Sequence, residues 1–192
     1  EAAHPEVRCY RYWPELSSDC RLMTKLLRDL TDYSMSDQLT KQRSDLCNLL
    51  RRAYLSCLPL TEGTNKTLTY TSRVSCAYMP LDSPKMMEAL LNLIVNALDA
   101  VSDNGSVQII LTKSNEQFVV SIIDDGCGIA PKQLLTIFHP FTTTKPDGTG
   151  LGLPVAKRII EGHGGHIRVS SAPNQGATFT FLLPCSFSSD KK

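Results

Sequence analysis

Between Ser83 and Ser102 the chain reads as one helix with almost no polar side. Ser83-Pro84 supplies a cap followed by a proline in the first turn, and the apolar stretch 86–101 is broken only by Glu88, Asn92, Asn96 and Asp99. A helix that is apolar nearly all round belongs inside a protein. Glu88, Asn92 and Asn96 recur every fourth residue and so share one face, with Asp99 beside them. Asn is a mediocre helix former, and a buried amide without a partner costs about 1–3 kcal/mol. The stripe therefore needs something to bond: a ligand, a loop of the same domain, or water on a solvated face. On this helix alone the three readings stand side by side.

The length of 192 residues fits one domain, or one domain with a helical extension. Twenty Lys and Arg stand against 19 Asp and Glu, a formal charge of +1. That balance leaves no electrostatic footprint for nucleic acid, and none is expected as a partner. No run approaches the roughly 20 apolar residues of a membrane helix. The chain opens on Glu1 rather than Met and reads as a piece of a longer protein, cytoplasmic here and open to a membrane anchor elsewhere. Its seven cysteines are odd in number and widely spaced, with no C-x-x-C pair. This argues against a disulfide framework or a zinc site and for a reducing compartment.

Residues 5–36 are predicted helical, with Cys9, Leu16, Met23 and Leu30 on one seven-residue register and Trp13, Cys20 and Leu27 between them. Such a narrow seam suits a coiled coil or helical bundle, or an amphipathic helix packed on its own domain; Pro14 should kink it. A strand is expected over 39–43, then a helix capped by Ser44 or Asp45 that Pro59 stops. Strand-like pieces follow at 68–72 and 76–81. After the apolar helix, 107–112 and 118–123 alternate as a hairpin turning at Ser114-Asn115. Pro131 starts a short helix, 139–150 is a loop, and 151–161 is a helix that Gly164-Gly165 ends. Strands at 167–171 and 178–183 close the domain. The pattern is α+β, a layered sandwich with adjacent strands antiparallel.

Two glycine motifs flank this framework. Asp124-Asp125-Gly126-Cys127-Gly128-Ile129 follows an apolar strand. Its glycines let a ligand approach the backbone closely, and its Asp can accept from an exocyclic amine; the same residues also make an ordinary turn. Gly148-Thr149-Gly150-Leu151-Gly152-Leu153 leads into a helix, where exposed N–H groups and the helix dipole favour a polyphosphate. A flexible glycine loop is the plain alternative.

Taken in order, Asn92-x-x-x-Asn96-Ala, Asp124-x-Gly126-x-Gly128, Phe138-x-x-Phe141 and Gly148-Thr-Gly-Leu-Gly-Leu resemble the N, G1, F and G2 boxes of the histidine-kinase ATP-binding domain. Gly176-Ala-Thr178-Phe is similar to that family's last glycine box, so the resemblance covers roughly residues 38–185. It implies a two-layer α/β sandwich of the Bergerat type, a mixed sheet of about five strands on three helices preceded by a long helix. ATP would lie between the helices and a lid over 139–150. The implied organisation is a helical dimerisation segment at 1–37, a catalytic domain at 38–187 and a polar tail at 188–192.

The same resemblance implies a role for each residue. Asn96 would coordinate Mg²⁺ and Asn92 would support phosphates or metal-bound water. Asp124 would bind the adenine amino group, with Gly126, Gly128 and Ile129 around the base and Thr178 completing the pocket. Thr143, Thr144 and Lys145 would meet phosphate oxygens, cradled by Gly148, Thr149, Gly150, Leu151, Gly152 and Leu153. Hydrolytic members of the wider superfamily carry a glutamate where this chain has Asn92, and an amide cannot take a proton from water. That favours transfer to a protein side chain, with Glu88 a weaker base candidate. Residues 15–35 resemble the second helix of a dimerisation hairpin. None of the four histidines fits the phosphoacceptor motif, so the acceptor is expected outside this chain. The intact protein is expected to form a homodimer through that helix and to pass phosphate to a response-regulator receiver domain. A serine kinase of the same fold and a non-catalytic, nucleotide-gated module are the alternatives.

Overall fold

The computed structural model describes residues 12–13, 15–20, 23–24, 39–145 and 148–185. The expectations for most of 5–36, for His4 and for the tail at 188–192 lie outside these residues. Residues 15–20 are helical, as expected.

Carboxylates start both of the larger N-terminal elements. Strand β1 (Gln42–Asp45) runs straight into helix α1 (Leu46–Cys57), and Asp45 is its cap, accepting from the Cys47 N–H at 3.0 Å. The same Oδ1 takes the Ala77 N–H at 2.9 Å, tying the cap to the approach of β3. Helix α2 (Ser83–Ala100) is capped by Asp82 rather than Ser83, through the Lys85 N–H at 3.1 Å. Ser83 and Pro84 fall inside the first turn, where proline's missing N–H costs nothing. Between these helices lie β2 (Thr67–Ser72) and β3 (Tyr78–Leu81). After α2 come β4 (Ser106–Ser114), β5 (Gln117–Asp124), the short α3 (Pro131–Leu134), α4 (Gly152–Gly162), β6 (His166–Ser171) and β7 (Ala177–Pro184).

The main sheet has five strands in the order β2-β4-β5-β7-β6, and β1 and β3 form a separate antiparallel pair. The fold is α+β, with a mixed sheet covered by helices. One pairing differs from expectation: β2 runs parallel to β4, while the other neighbours are antiparallel. Parallel neighbours need a crossover, and the stretch that contains α2 supplies it. Strand β3, although next in sequence to β2, pairs with β1 instead.

The strand faces are sharply divided. Val107, Ile109, Leu111, Phe118, Val120, Ile122, Ala177, Phe179, Phe181 and Leu183 are buried, and their neighbours on the other face are not. The buried face meets Leu46 and Leu50 of α1, Met86, Leu90, Leu93, Ile94 and Ala97 of α2, and Ile159 and Ile160 of α4. Helix α2 is thus packed on most sides, as its composition requires.

Candidate functional site

The polar stripe of α2 faces a cavity of about 1520 Å³, to which Glu88, Asn92, Asn96 and Asp99 all contribute. That volume exceeds the roughly 300–1,000 Å³ of an ordinary small-ligand cleft. Glu88 accepts from Lys85 Nζ one turn earlier, at 3.1 Å. Asn92 lies against the start of α4, where a Cβ added to Gly152 would come 3.5 Å from its Oδ1. Further along, Lys145 Nζ donates to Asn96 Oδ1 at 3.1 Å and to Asp99 Oδ2 at 2.9 Å.

A second wall comes from the turn after β5, through Cys127, Gly128 and Ile129. Here two loops distant in sequence are pressed together. Gly176 N–H bonds Gly126 O at 3.0 Å, and Asn174 N–H bonds Cys127 O at 2.7 Å. Ile129 N–H donates to Ser171 Oγ at 2.8 Å, and that hydroxyl donates to Gly176 O at 2.6 Å. Glycine is required at two points. Gly128 has φ +68° with Ala172 O where a Cβ would go, and Gly176 has φ +68° with Asp124 O there. Asp124 lies beneath this junction, its Oδ1 accepting from the Gly126 and Ala177 N–H groups at 3.0 and 3.1 Å. Burial pushes its carboxyl above the usual range, and those two N–H groups partly oppose the shift.

The third wall is the glycine arch. Thr142, Thr143, Thr144, Lys145 and Gly148 to Leu153 line the cavity. Thr143 Oγ1 accepts the Lys145 N–H at 3.0 Å, and Phe141 N–H bonds Gly150 O at 3.1 Å. Phe138 anchors the start of this loop, stacking edge-on against Phe179 at 6.5 Å, while Phe141 points outward. Helix α4 opens at the cavity with no side-chain cap. Its first N–H groups are therefore available to an anion.

The structure brings together Glu88, Asn92, Asn96, Gly128, Ile129, Thr143, Thr144, Lys145, Gly148, Thr149, Gly150, Leu151, Gly152 and Leu153. Asp124 and Gly126 stand just behind the wall rather than on it. Thr178 is not brought to the cavity: it pairs with Ile123 and Ser170, and strand alternation turns it away from the face that carries Ala177 and Phe179. Asp99, absent from the ligand set read from the sequence, is in contact with Lys145; its place at the end of the stripe was the available signal. Trp13, Leu16, Ser17, Cys20 and Thr24 add a fourth wall that the heptad pattern, read as a helix seam, does not reveal.

The chain's own donors suit a hard divalent cation. The oxygens of Asn96 and Asp99 already converge on one cationic atom, the Lys145 ammonium, as such ions require. Among the described residues there is no cluster of three or more His, Cys, Asp or Glu, so phosphate and water would have to complete the shell.

The family model of histidine kinase-, DNA gyrase B- and HSP90-like ATPases matches residues 81–186, more than half of the chain. The chain belongs to this ATPase family. Among curated relatives of this ATPase domain, the sensor histidine kinase ZraS of Salmonella typhimurium is 32% identical over 170 residues. That match takes in 88% of this chain and 37% of ZraS, so the chain spans little more than a third of its relative. The catalytic domain of the histidine kinase ThkA is 29% identical with a TM-score of 0.71, over 77% of this chain and 97% of that one. ThkA bound to the response regulator TrrA shares the fold at 24% identity and a TM-score of 0.76, over 94% and 52% of the two chains. Full-length ShkA in complex with AMPPNP matches at 25% identity and a TM-score of 0.80, over 90% and 38%. The domain is the catalytic ATP-binding type found in two-component histidine kinases. No helix among its described residues is long and apolar enough to cross a membrane.

Proposed function

We propose that this domain binds Mg-ATP in the cavity between α2, the Gly126–Ile129 turn and the glycine arch, and transfers the γ-phosphoryl group to a histidine on a dimerisation helix. The observation that carries this reading is the convergence of the α2 amide stripe and the uncapped start of α4 on one cavity. The base would lie toward Gly128 and Ile129, with the Asp124 carboxylate as acceptor for its amino group. The phosphates would lie at Lys145, Gly148 to Gly152 and the first N–H groups of α4, where the helix dipole favours negative charge. Asn96, with Asp99 beside it, would hold the magnesium ion, which when bound neutralises charge on the phosphate oxygens.

Asn92 supports transfer over hydrolysis. Its amide oxygen can orient a phosphate or a water, yet it cannot accept a proton, so the site lacks a base where hydrolytic members have one. Glu88 is one turn further back and already held by Lys85. The intact protein would act as a dimer through its N-terminal helix and pass phosphate to a response-regulator receiver domain, as the ThkA–TrrA complex suggests for that kinase.

The test is a fluorescent ATP analogue titrated with and without Mg²⁺, followed by radiolabelled ATP with a separately supplied acceptor helix. Acid-labile phosphate on the added helix, and none on this chain alone, is the expected result. Acid-stable label would indicate a hydroxyl acceptor and overturn the histidine assignment.

A further inference from the structure

On the nucleotide reading above, we propose that in the nucleotide-free protein the Lys145 ammonium occupies the cation position on α2, with Asp99 as the positioning residue that holds it there. Lysine and nucleotide-borne cation would then exchange for one another. Lys145 is not an incidental surface lysine. Its loop is folded to aim it, because Thr143 Oγ1 accepts its N–H at 3.0 Å and its carbonyl accepts the Gly148 N–H at 3.1 Å. It then reaches back 49 residues in sequence to Asn96 Oδ1 and 46 residues to Asp99 Oδ2. These are the two oxygens that the site offers to a hard cation.

The electrostatics make this a replaceable plug. The pair is about half exposed, 42% for Lys145 and 52% for Asp99, so solvent screens it and its hold is weak. A divalent cation at Asn96 Oδ1 would repel an ammonium a few ångströms away. The displaced Lys145 carries its charge into the region assigned to the phosphates, where incoming negative charge would receive it. Loop position and cation occupancy thereby become one equilibrium, and a cation-free nucleotide would have to compete with Asp99 for the same lysine.

The full 192-residue chain tests this without nucleotide. Mn²⁺ is the probe, read by paramagnetic broadening of the Asn96 side-chain amide, and hydrogen exchange over 142–150 reads the loop. In K145Q the broadening is expected at about two- to fivefold lower Mn²⁺, the scale of an exposed ion pair. K145Q and the double variant are expected to raise loop exchange by the same factor, and D99N alone by no more than that, because K145Q removes both contacts of the lysine whereas D99N weakens only one of them. An unchanged Mn²⁺ dependence in K145Q, or additive effects in the double variant, would overturn the proposal. A parallel ATP-analogue titration separates the two ideas. Wild-type binding with additive variants sinks the exchange alone, whereas no wild-type binding sinks the nucleotide reading and this proposal with it.

Discussion

Nε2 of His163, at the end of α4, accepts a 2.9 Å hydrogen bond from the backbone N–H of Asp82, the cap of α2. The other ring nitrogen, Nδ1, lies 2.7 Å from Ile159 O and must carry the proton. The Asp82 carboxylate also accepts the Thr40 N–H at 2.9 Å, so the neutral imidazole and this carboxylate together join three segments around the start of the site helix.

Burial holds the His163 pKa below the ordinary histidine value; nearby Lys41 adds to the shift, and the Ile159 carbonyl and Asp82 oppose it. The unfolded chain takes up this proton near pH 6.5, the folded protein only at lower pH. Stability from this group is therefore full above about pH 6.5 and falls as pH drops toward the depressed value. Thermal melts at pH 7.5, 6.5 and 5.5, as rough settings on either side of that range, should show a loss that is much smaller in His163→Gln. At neutral pH, His163→Ala should cost about 1–3 kcal/mol by stranding the Asp82 N–H.

Gly128→Ala should disrupt the turn that lines the cavity and to which the base is assigned. Its positive φ costs about 1–3 kcal/mol for another residue, and the added carbon would meet the Ala172 carbonyl at 2.0 Å. Urea denaturation should show the midpoint falling, with nucleotide affinity falling too. A variant of unchanged stability would mean that the two loops do not touch in solution.

Asp124→Asn separates binding from folding. The retained amide oxygen can still accept from the Gly126 and Ala177 N–H groups, and an uncharged side chain avoids the desolvation that raises this carboxyl's pKa. Stability should hold or rise slightly. Affinity for an adenine nucleotide should fall about 10- to 100-fold, the scale of a charge-assisted hydrogen bond; a calorimetric titration showing no change would remove Asp124 from base recognition.

Cys127 is exposed and lines the cavity, whereas Cys76 is exposed away from it. Alkylation of Cys127 by iodoacetamide should slow when Mg-ATP is present, with Cys76 as the internal control. Peptide mass spectrometry that finds both cysteines equally unaffected would move the nucleotide elsewhere.

Much of this was legible in the chain because the boxes are local. The α2 stripe and the glycine arch each carry their geometry in consecutive residues, and both line the cavity. What escaped depends on neighbours in space. Ser83 and Asp82 are both good caps, and only the Thr40 N–H and His163 beside Asp82 decide between them. Thr178 sits one step of alternation from the useful face, and a one-residue slip reverses every side chain of a strand. The parallel β2–β4 pairing could not be read from two strand-like segments separated by a turn. Lys145 looked like a phosphate ligand, yet without nucleotide it is bound to Asn96 and Asp99.

The parallel pairing bears on where this domain can be cut. The family match begins at residue 81, downstream of α1 and β2. A polypeptide trimmed to that match keeps every glycine box but strips β4 of its parallel partner β2, baring a ladder of unpaired amides and carbonyls along one edge of residues 106–111. It also uncovers the apolar surface of α2 and the sheet that Leu46, Leu49, Leu50 and Ala53 now shield. Such a piece should self-associate edge to edge, so the smallest soluble unit has to begin upstream of β1, well before the first recognisable signature.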